Sequence, residues 1–205
     1  MSAARLPAST IWTDSWGKSM KVFYMNGAGN DFMVIDARGQ ALDFEALAVE
    51  LCKLTSADGF MAVDNSDEAD FRLHFYNADG SRGEMCGNGA RCICRYGYEN
   101  GLAGEVQKVE TTAGLVTGWR VDRRLYRVRL NDPCNMRLDG KAEVDGVTYD
   151  CAYVELGDPG IPHAAVPMKD LKNFDTQALF QLGRKLRYYK DFPKGANVNF
   201  YEIIG

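Results

Sequence analysis

The run Gly83-Glu84-Met85-Cys86-Gly87-Asn88-Gly89-Ala90-Arg91-Cys92 sets a thiol where a glycine-rich loop enters a candidate helix. Backbone N–H groups at a helix start have no partner inside the helix and carry a partial positive charge, which favours a thiolate. Gly87 and Gly89 bring no side chains that would hold a ligand away from those groups. The same amides can then hold a carboxylate, or charge delocalised onto it during a reaction. One short loop thus offers a base and an anion cradle together. The plainer alternative makes Cys86 a small buried hydrophobe and the glycines the makers of a tight turn. Spacing alone leaves both open.

Two further stretches carry polar groups among glycines. Gly27-Ala28-Gly29-Asn30-Asp31-Phe32 presents an Asn amide that both donates and accepts, and Asn77 does the same in Asn77-Ala78-Asp79-Gly80. Each is equally readable as an ordinary Asx turn. Neither Gly27 nor Gly87 continues into G-x-G-x-x-G, so no dinucleotide site is expected. Cys86, Cys92 and Cys94 read C-x5-C-x-C, which is not zinc-knuckle spacing, and with only His74 and His163 available no metal site is expected. Cys52, Cys92, Cys94, Cys134 and Cys151 are read as packing residues.

The elements that must position these groups follow from periodicity. Lys21–Met25 and Phe32–Asp36 read as strands around the Asn26–Gly29 turn, and Phe60–Val63 and Phe71–Tyr76 as two more. Asp43 caps a helix carrying Phe44, Leu47, Leu51 and Leu54, and Asp175 caps one over about 176–189 with Leu179, Leu182, Leu186 and Tyr189 on one face. The helix after the thiol is expected over about 89–99, stopped by Asn100-Gly101. Later strands are expected at 106–112, 115–121, 125–130, 147–154 and 197–203. This order is mixed α+β rather than the regular alternation of a nucleotide-binding sheet.

With 205 residues, 46% hydrophobic and 25% charged, the chain has an ordinary globular composition and length for one or two domains. A formal charge of −4 argues against nucleic acid or a lipid surface as partner, and no apolar run is long enough for a membrane helix. The six cysteines are sparse, and residues 1–19 lack the apolar stretch of a secretory signal, so free thiols in the cytoplasm are expected. Residues 1–19 are read as a disordered extension, with folding beginning near Met20, and a boundary is placed near Gly114.

Taken together, these stretches resemble diaminopimelate epimerase. Met25-Asn26-Gly27-Ala28-Gly29-Asn30-Asp31-Phe32 is similar to the family's opening signature. Tyr76–Ser81, continuing to Met85–Cys92, is similar to its catalytic-cysteine signature almost residue for residue. Pro162-His163, and Phe192-Pro193 through Asn197-Val198-Asn199-Phe200, match two shorter stretches. The resemblance implies a two-lobed α+β fold, each lobe a mixed sheet or barrel around a central helix: a first lobe over 20–114 with Cys86 and a second, incomplete lobe over 115–205. It implies a cofactor-free homodimeric epimerase acting on a small amino-acid substrate. One cysteine removes the α-proton from one face, and a second returns a proton to the other. Cys86 matches the first cysteine. Asn30, Asn77, Gly87, Asn88 and Asn197 fall at substrate-contacting positions, and His163 at a histidine that tunes the thiols.

The pattern also has departures. Ile161 stands where many members carry a substrate-binding Asn, and Gly59 where some have Gln. The family's second cysteine belongs to a later signature that this sequence, ending at Ile203-Ile204-Gly205, does not contain. The reading is therefore a C-terminally shortened diaminopimelate epimerase, with no epimerisation expected from these residues alone. Its alternatives are a related racemase for another amino acid and a non-catalytic remnant of the fold.

Overall fold

Phe32-Met33-Val34-Ile35 and Phe60-Met61-Ala62-Val63 are unbroken apolar runs, and a strand can bury such a run only in a sheet covered on both faces. The computed structural model of the chain describes residues 9–13, 17–83, 86–157 and 160–204, so Glu84, Met85 and Gly205 of the quoted stretches lie outside the described residues. The chain divides into two compact units, Met1–Leu130 and Asn131–Gly205.

The first unit is one eight-stranded mixed sheet in which β1 (Ser9–Thr13), β2 (Ser19–Gly27), β3 (Asn30–Asp36), β4 (Gly59–Asp64), β5 (Phe71–Asn77), β6 (Val106–Thr111), β7 (Gly114–Arg120) and β8 (Tyr126–Arg129) lie in sequence order. Only β3–β4 and β5–β6 are parallel, and each of those crossovers carries a helix: α1 (Phe44–Thr55) and α2 (Gly87–Glu99). The apolar runs divide by period two. Met33, Ile35, Phe60 and Ala62 pack with Leu47 and Leu51 of α1, whereas Phe32, Val34, Met61 and Val63 pack with Cys92, Ile93 and Tyr96 of α2. Helix α2 also meets β2, β7 and β8, so the sheet curls around it as around an axle. That is the expected sheet around a central helix.

The second unit, described by itself, is a four-stranded sheet of order β12-β11-β10-β9, with β9 at Pro133–Val144, β10 at Val147–Leu156, β11 at Ile161–Pro167 and β12 at Asn197–Tyr201. Helix α3 (Thr176–Arg187) presses Leu182 and Leu186 onto Ala142, Val144, Tyr153, Ala164 and Val166. Leu179 is only half-buried and Phe180 is exposed, so the buried stripe is narrower than the leucine spacing suggests.

Two expected boundaries are corrected. Residues 115–130 belong with the first unit, because Gly114 is the turn glycine of the β6–β7 hairpin, paired with Thr111 at φ +94°, and not a linker. Within the expected 1–19 extension, Ser9–Thr13 form β1 against Ser19–Phe23, with the Thr13 and Ser19 hydroxyls 2.8 Å apart. Their β-branched and aromatic side chains suit the edge that β2 offers, and Trp12 packs onto the core. Strands β9 and β11 were not expected either. Nine of the first ten residues of β9 are exposed or half-exposed without clean alternation, and β11 carries Pro162 and Pro167, which break a strand signature.

Candidate functional site

Helices α1 and α3 are closed at their starts by acids: Asp43 accepts from the Ala46 N–H at 3.0 Å, and Asp175 from the Ala178 N–H at 2.7 Å. Helix α2 differs. Its cap is Cys86, in extended backbone (φ −109°, ψ 122°), whose side chain makes no capping bond. The Cys86 carbonyl accepts from the Ala90 N–H at 2.8 Å, which fixes the first turn. No acid lies in that turn to offset the partial positive charge of the helix end. The helix begins at Gly87, two residues earlier than the periodicity indicates, and this places the thiol on the helix terminus itself.

Half-buried, Cys86 borders a cavity of about 10 Å³ lined also by Met61, Leu73, Phe75, Gly89, Thr111 and Thr112. That is room for about one water, far too little for an amino acid, so one side of the thiol faces a nearly dry wall. A Cβ on Gly27 would come within 2.8 Å of both the Asn88 carbonyl oxygen and the Cys92 sulfur. The β2–β3 turn therefore rests directly on the first turn of α2, and only glycine permits that approach.

This contact joins the two signatures. The Asn88 side chain donates to the Asn30 oxygen at 2.7 Å, and the Asn30 amide donates to Asp58 at 3.3 Å. Asp58 also accepts from the Asp31 N–H at 2.8 Å, and Arg91 donates to the Asn88 oxygen. Asn30 is thus no Asx turn; its partners lie 28 and 58 residues away. Asn26 is the turn-former instead, accepting from the Gly29 N–H at 3.3 Å. Asp31 accepts from Asn26 at 2.6 Å, and its position beside the Tyr24 hydroxyl pushes that group up to about 12.

Asn77 closes β5 at the end of the sheet where Asn30 opens β3. In register, Phe32 pairs with Gly59 and Gly59 with Asn77, two strand spacings, or about 10 Å. Its amide donates to the Ser81 hydroxyl at 2.9 Å within its own turn, one side chain to another. The structure thus brings Asn30, Cys86, Gly87 and Asn88 together and places Asn77 along the same edge.

The remaining two site candidates belong to the second unit and adjoin each other: His163 on β11 pairs in register with Asn197 on β12. Burial holds the His163 imidazole below its ordinary value. Asn197 is exposed, with its oxygen held by Arg187 at 3.1 Å. Ile161, two residues before His163 on the same strand face, is buried and pairs with Leu156, so that slot offers methyl groups where an amide was in question. Glu155 faces the opposite side. It is buried and takes Lys194 at 2.6 Å and the Tyr153 hydroxyl at 2.8 Å, which keep its carboxyl below the usual range.

All six thiols are free. Burial pushes Cys52 and Cys92 up to about 11 and Cys94 up to about 12, and raises Cys151. Cys134 is exposed on β9. Among the described residues no cluster suited to a metal ion occurs, and no helix is long and apolar enough to cross a membrane.

Sequence reasoning passed over Asp58, Arg91 and Arg187. The three-residue step from Asn88 to Arg91, one face of a helix, was the signal available for Arg91; nothing in the sequence ties Asp58 or Arg187 to the amides they hold.

The family model described as "Diaminopimelate epimerase" matches residues 22–132. The chain is 35% identical to the diaminopimelate epimerase of Aquifex aeolicus, over 90% of this chain and 70% of that protein. It is also 35% identical to that of Archaeoglobus fulgidus, over 88% and 69%. In fold it resembles a Bacillus anthracis phenazine biosynthesis protein of the PhzF family, with a TM-score of 0.67 and 17% identity over 92% of this chain and 69% of that one. It likewise resembles a hydroxyproline epimerase from Agrobacterium vitis, with a TM-score of 0.59 and 17% identity over 82% and 57%.

Proposed function

Because the chain belongs to the diaminopimelate epimerase family, we propose that it serves the interconversion of LL- and meso-2,6-diaminopimelate by proton transfer between two thiols, with Cys86 as one of them and no cofactor. The observation that carries this is the uncapped start of α2, with the Cys86 sulfur at its end and the Asn30–Asn88 pair beside it.

An α-proton is weakly acidic, so its removal needs a base and a place for the electron pair. The Cα–H bond breaks, an S–H bond forms at Cys86, and the electron pair spreads into the adjoining carboxylate. The N–H groups of Gly87 and Asn88 are fixed dipoles suited to that charge, and need no rearrangement as it develops. Asn30 and Asn77 supply amide contacts that orient the substrate, and the family resemblance assigns Asn197 a substrate contact and His163 the tuning of the thiols. Return of a proton to the opposite face of Cα requires a second thiol. None of the other five cysteines has the loop-to-helix setting of Cys86, and burial holds four of them as thiols with little thiolate near neutral pH. We therefore assign no second base within these 205 residues and expect no epimerisation from them alone. In this reading the enzyme is a cytoplasmic homodimer in lysine and cell-wall precursor synthesis.

The test is alkylation of the purified chain by iodoacetamide with peptide mapping. Cys86 is expected to react and meso-diaminopimelate to protect it, with no LL-to-meso conversion over the same period. Unchanged Cys86 labelling at saturating diaminopimelate argues for the non-catalytic remnant. Protection by histidine or proline instead moves the substrate to another amino acid, and measurable conversion removes the claim that a second base is lacking.

A further inference from the structure

Amide side chains are ambiguous recognition groups: rotated by 180°, an Asn exchanges its acceptor for its donor. A site built from Asn30 and Asn88 works only if something outside the pair decides which way each amide points. The structure contains that something at both ends of the pair. At one end the Arg91 guanidinium, a donor and nothing else, meets the Asn88 oxygen. At the other the Asp58 carboxylate accepts from the Asn30 amide at 3.3 Å. Between them the Asn88 amide donates to the Asn30 oxygen at 2.7 Å. Every donor in this row points toward Asp58. Turning either amide over would set donor against donor at one contact and acceptor against acceptor at the other.

Asp58 is itself anchored by the Asp31 N–H at 2.8 Å, and Arg91 stands one helical turn beyond Asn88 on α2. The row therefore runs from α2 to the β3–β4 end of the sheet, with a cationic head and an anionic tail. Charge at both ends polarises the amides between them in one sense.

We propose that Arg91 and Asp58 are positioning residues, which lock the Asn30 and Asn88 amides in the single orientation the site uses without themselves touching substrate. The proposal rests on the reading of Asn30 and Asn88 as substrate contacts. Arg91 acts through Asn88, and Asp58 through Asn30. Each locked amide keeps one N–H free of the row, and that hydrogen is what it presents outward.

The test combines two readouts on R91M, R91K, D58A and D58N, compared with the unaltered chain. The first is the side-chain amide 15N–1H pair of Asn88, which reports orientation without any ligand. The second is the meso-diaminopimelate concentration that half-protects Cys86 from iodoacetamide. In R91M the Asn88 pair is expected to shift and the half-protecting concentration to rise about tenfold or more, the scale of one lost charge-assisted hydrogen bond. R91K, which keeps a cationic donor, is expected to recover most of that loss. D58N, which keeps an acceptor, is expected to do better than D58A. A general loss of folding would instead affect lysine and methionine variants without regard to donor capacity. Unmoved Asn88 resonances in R91M overturn the proposal whatever the ligand does. Unaltered protection in R91M, with the original chain protected, overturns it and leaves the proposed function standing. If the original chain is itself unprotected, the assignment of Asn30 and Asn88 as substrate contacts falls, and this proposal with it.

Discussion

At the scale of single residues, the two site candidates of the second unit differ in what holds them. Asn197 is exposed and fixed by one arginine, whereas His163 is packed into the sheet and kept neutral by burial. The consequence for stability has a definite sign. A histidine whose folded pKa lies below its unfolded value, about 6.5, binds its proton more readily in the unfolded chain. Its neutral burial therefore costs nothing above that pH, and stability is lost as pH falls through and below it. The second unit is expected to weaken between about pH 6.5 and the lowered folded value, and H163Q is expected to flatten that slope. Urea midpoints of both proteins across this range, followed by a probe in the second unit, check it; parallel slopes would show that His163 titrates normally.

At the scale of elements, the three α-helices among the described residues solve the same problem in two ways. Asp43 and Asp175 spend their side chains on satisfying α1 and α3, while Cys86 leaves the α2 terminus open. An open helix end is a stability deficit that a ligand or a better cap can remove. C86S is therefore expected to stabilise the chain by up to about 1 kcal/mol, since serine is a strong cap and cysteine makes no capping bond here. D43A is expected to cost about 1 kcal/mol. Denaturant titrations of the three proteins provide the comparison, and a destabilised C86S would mean that the thiol's packing against the core on the α2 side of the sheet outweighs the cap. The expected gain in C86S is a functional loss, because a serine hydroxyl is a far weaker base than a thiolate. The site has kept the residue that caps poorly.

At the scale of the whole molecule, each unit has its own core, which sets an expectation for how damage spreads. L51A removes methyl groups from the α1 side of the first sheet, and L186A from beneath α3. Each is expected to cost about 2–5 kcal/mol. Hydrogen exchange should place the lost protection in the substituted unit, in β3 and β4 for L51A and in β10 and β11 for L186A; equal loss in both would show a single cooperative block. Much of this arrangement is legible from the amino acids alone. The apolar runs of β3 and β4, the Asp-capped helices and the glycine-flanked Cys86 follow from local rules of period, capping and backbone freedom, which act over a few residues. The same signatures suffice to name the family. Tertiary structure decided what depends on distant partners. It recruited Ser9–Thr13 as an edge strand because β2 had an unpaired side, and it carried the first unit to Leu130 because β7 and β8 close the sheet around α2. It also showed which amides are turn-formers and which are held across the fold. Asn26 and Asn30 are four residues apart and equally polar, yet only Asn30 reaches Asp58 and Asn88. Hydrogen-bond partners 28 and 58 residues away are fixed by packing, and no local spacing encodes them.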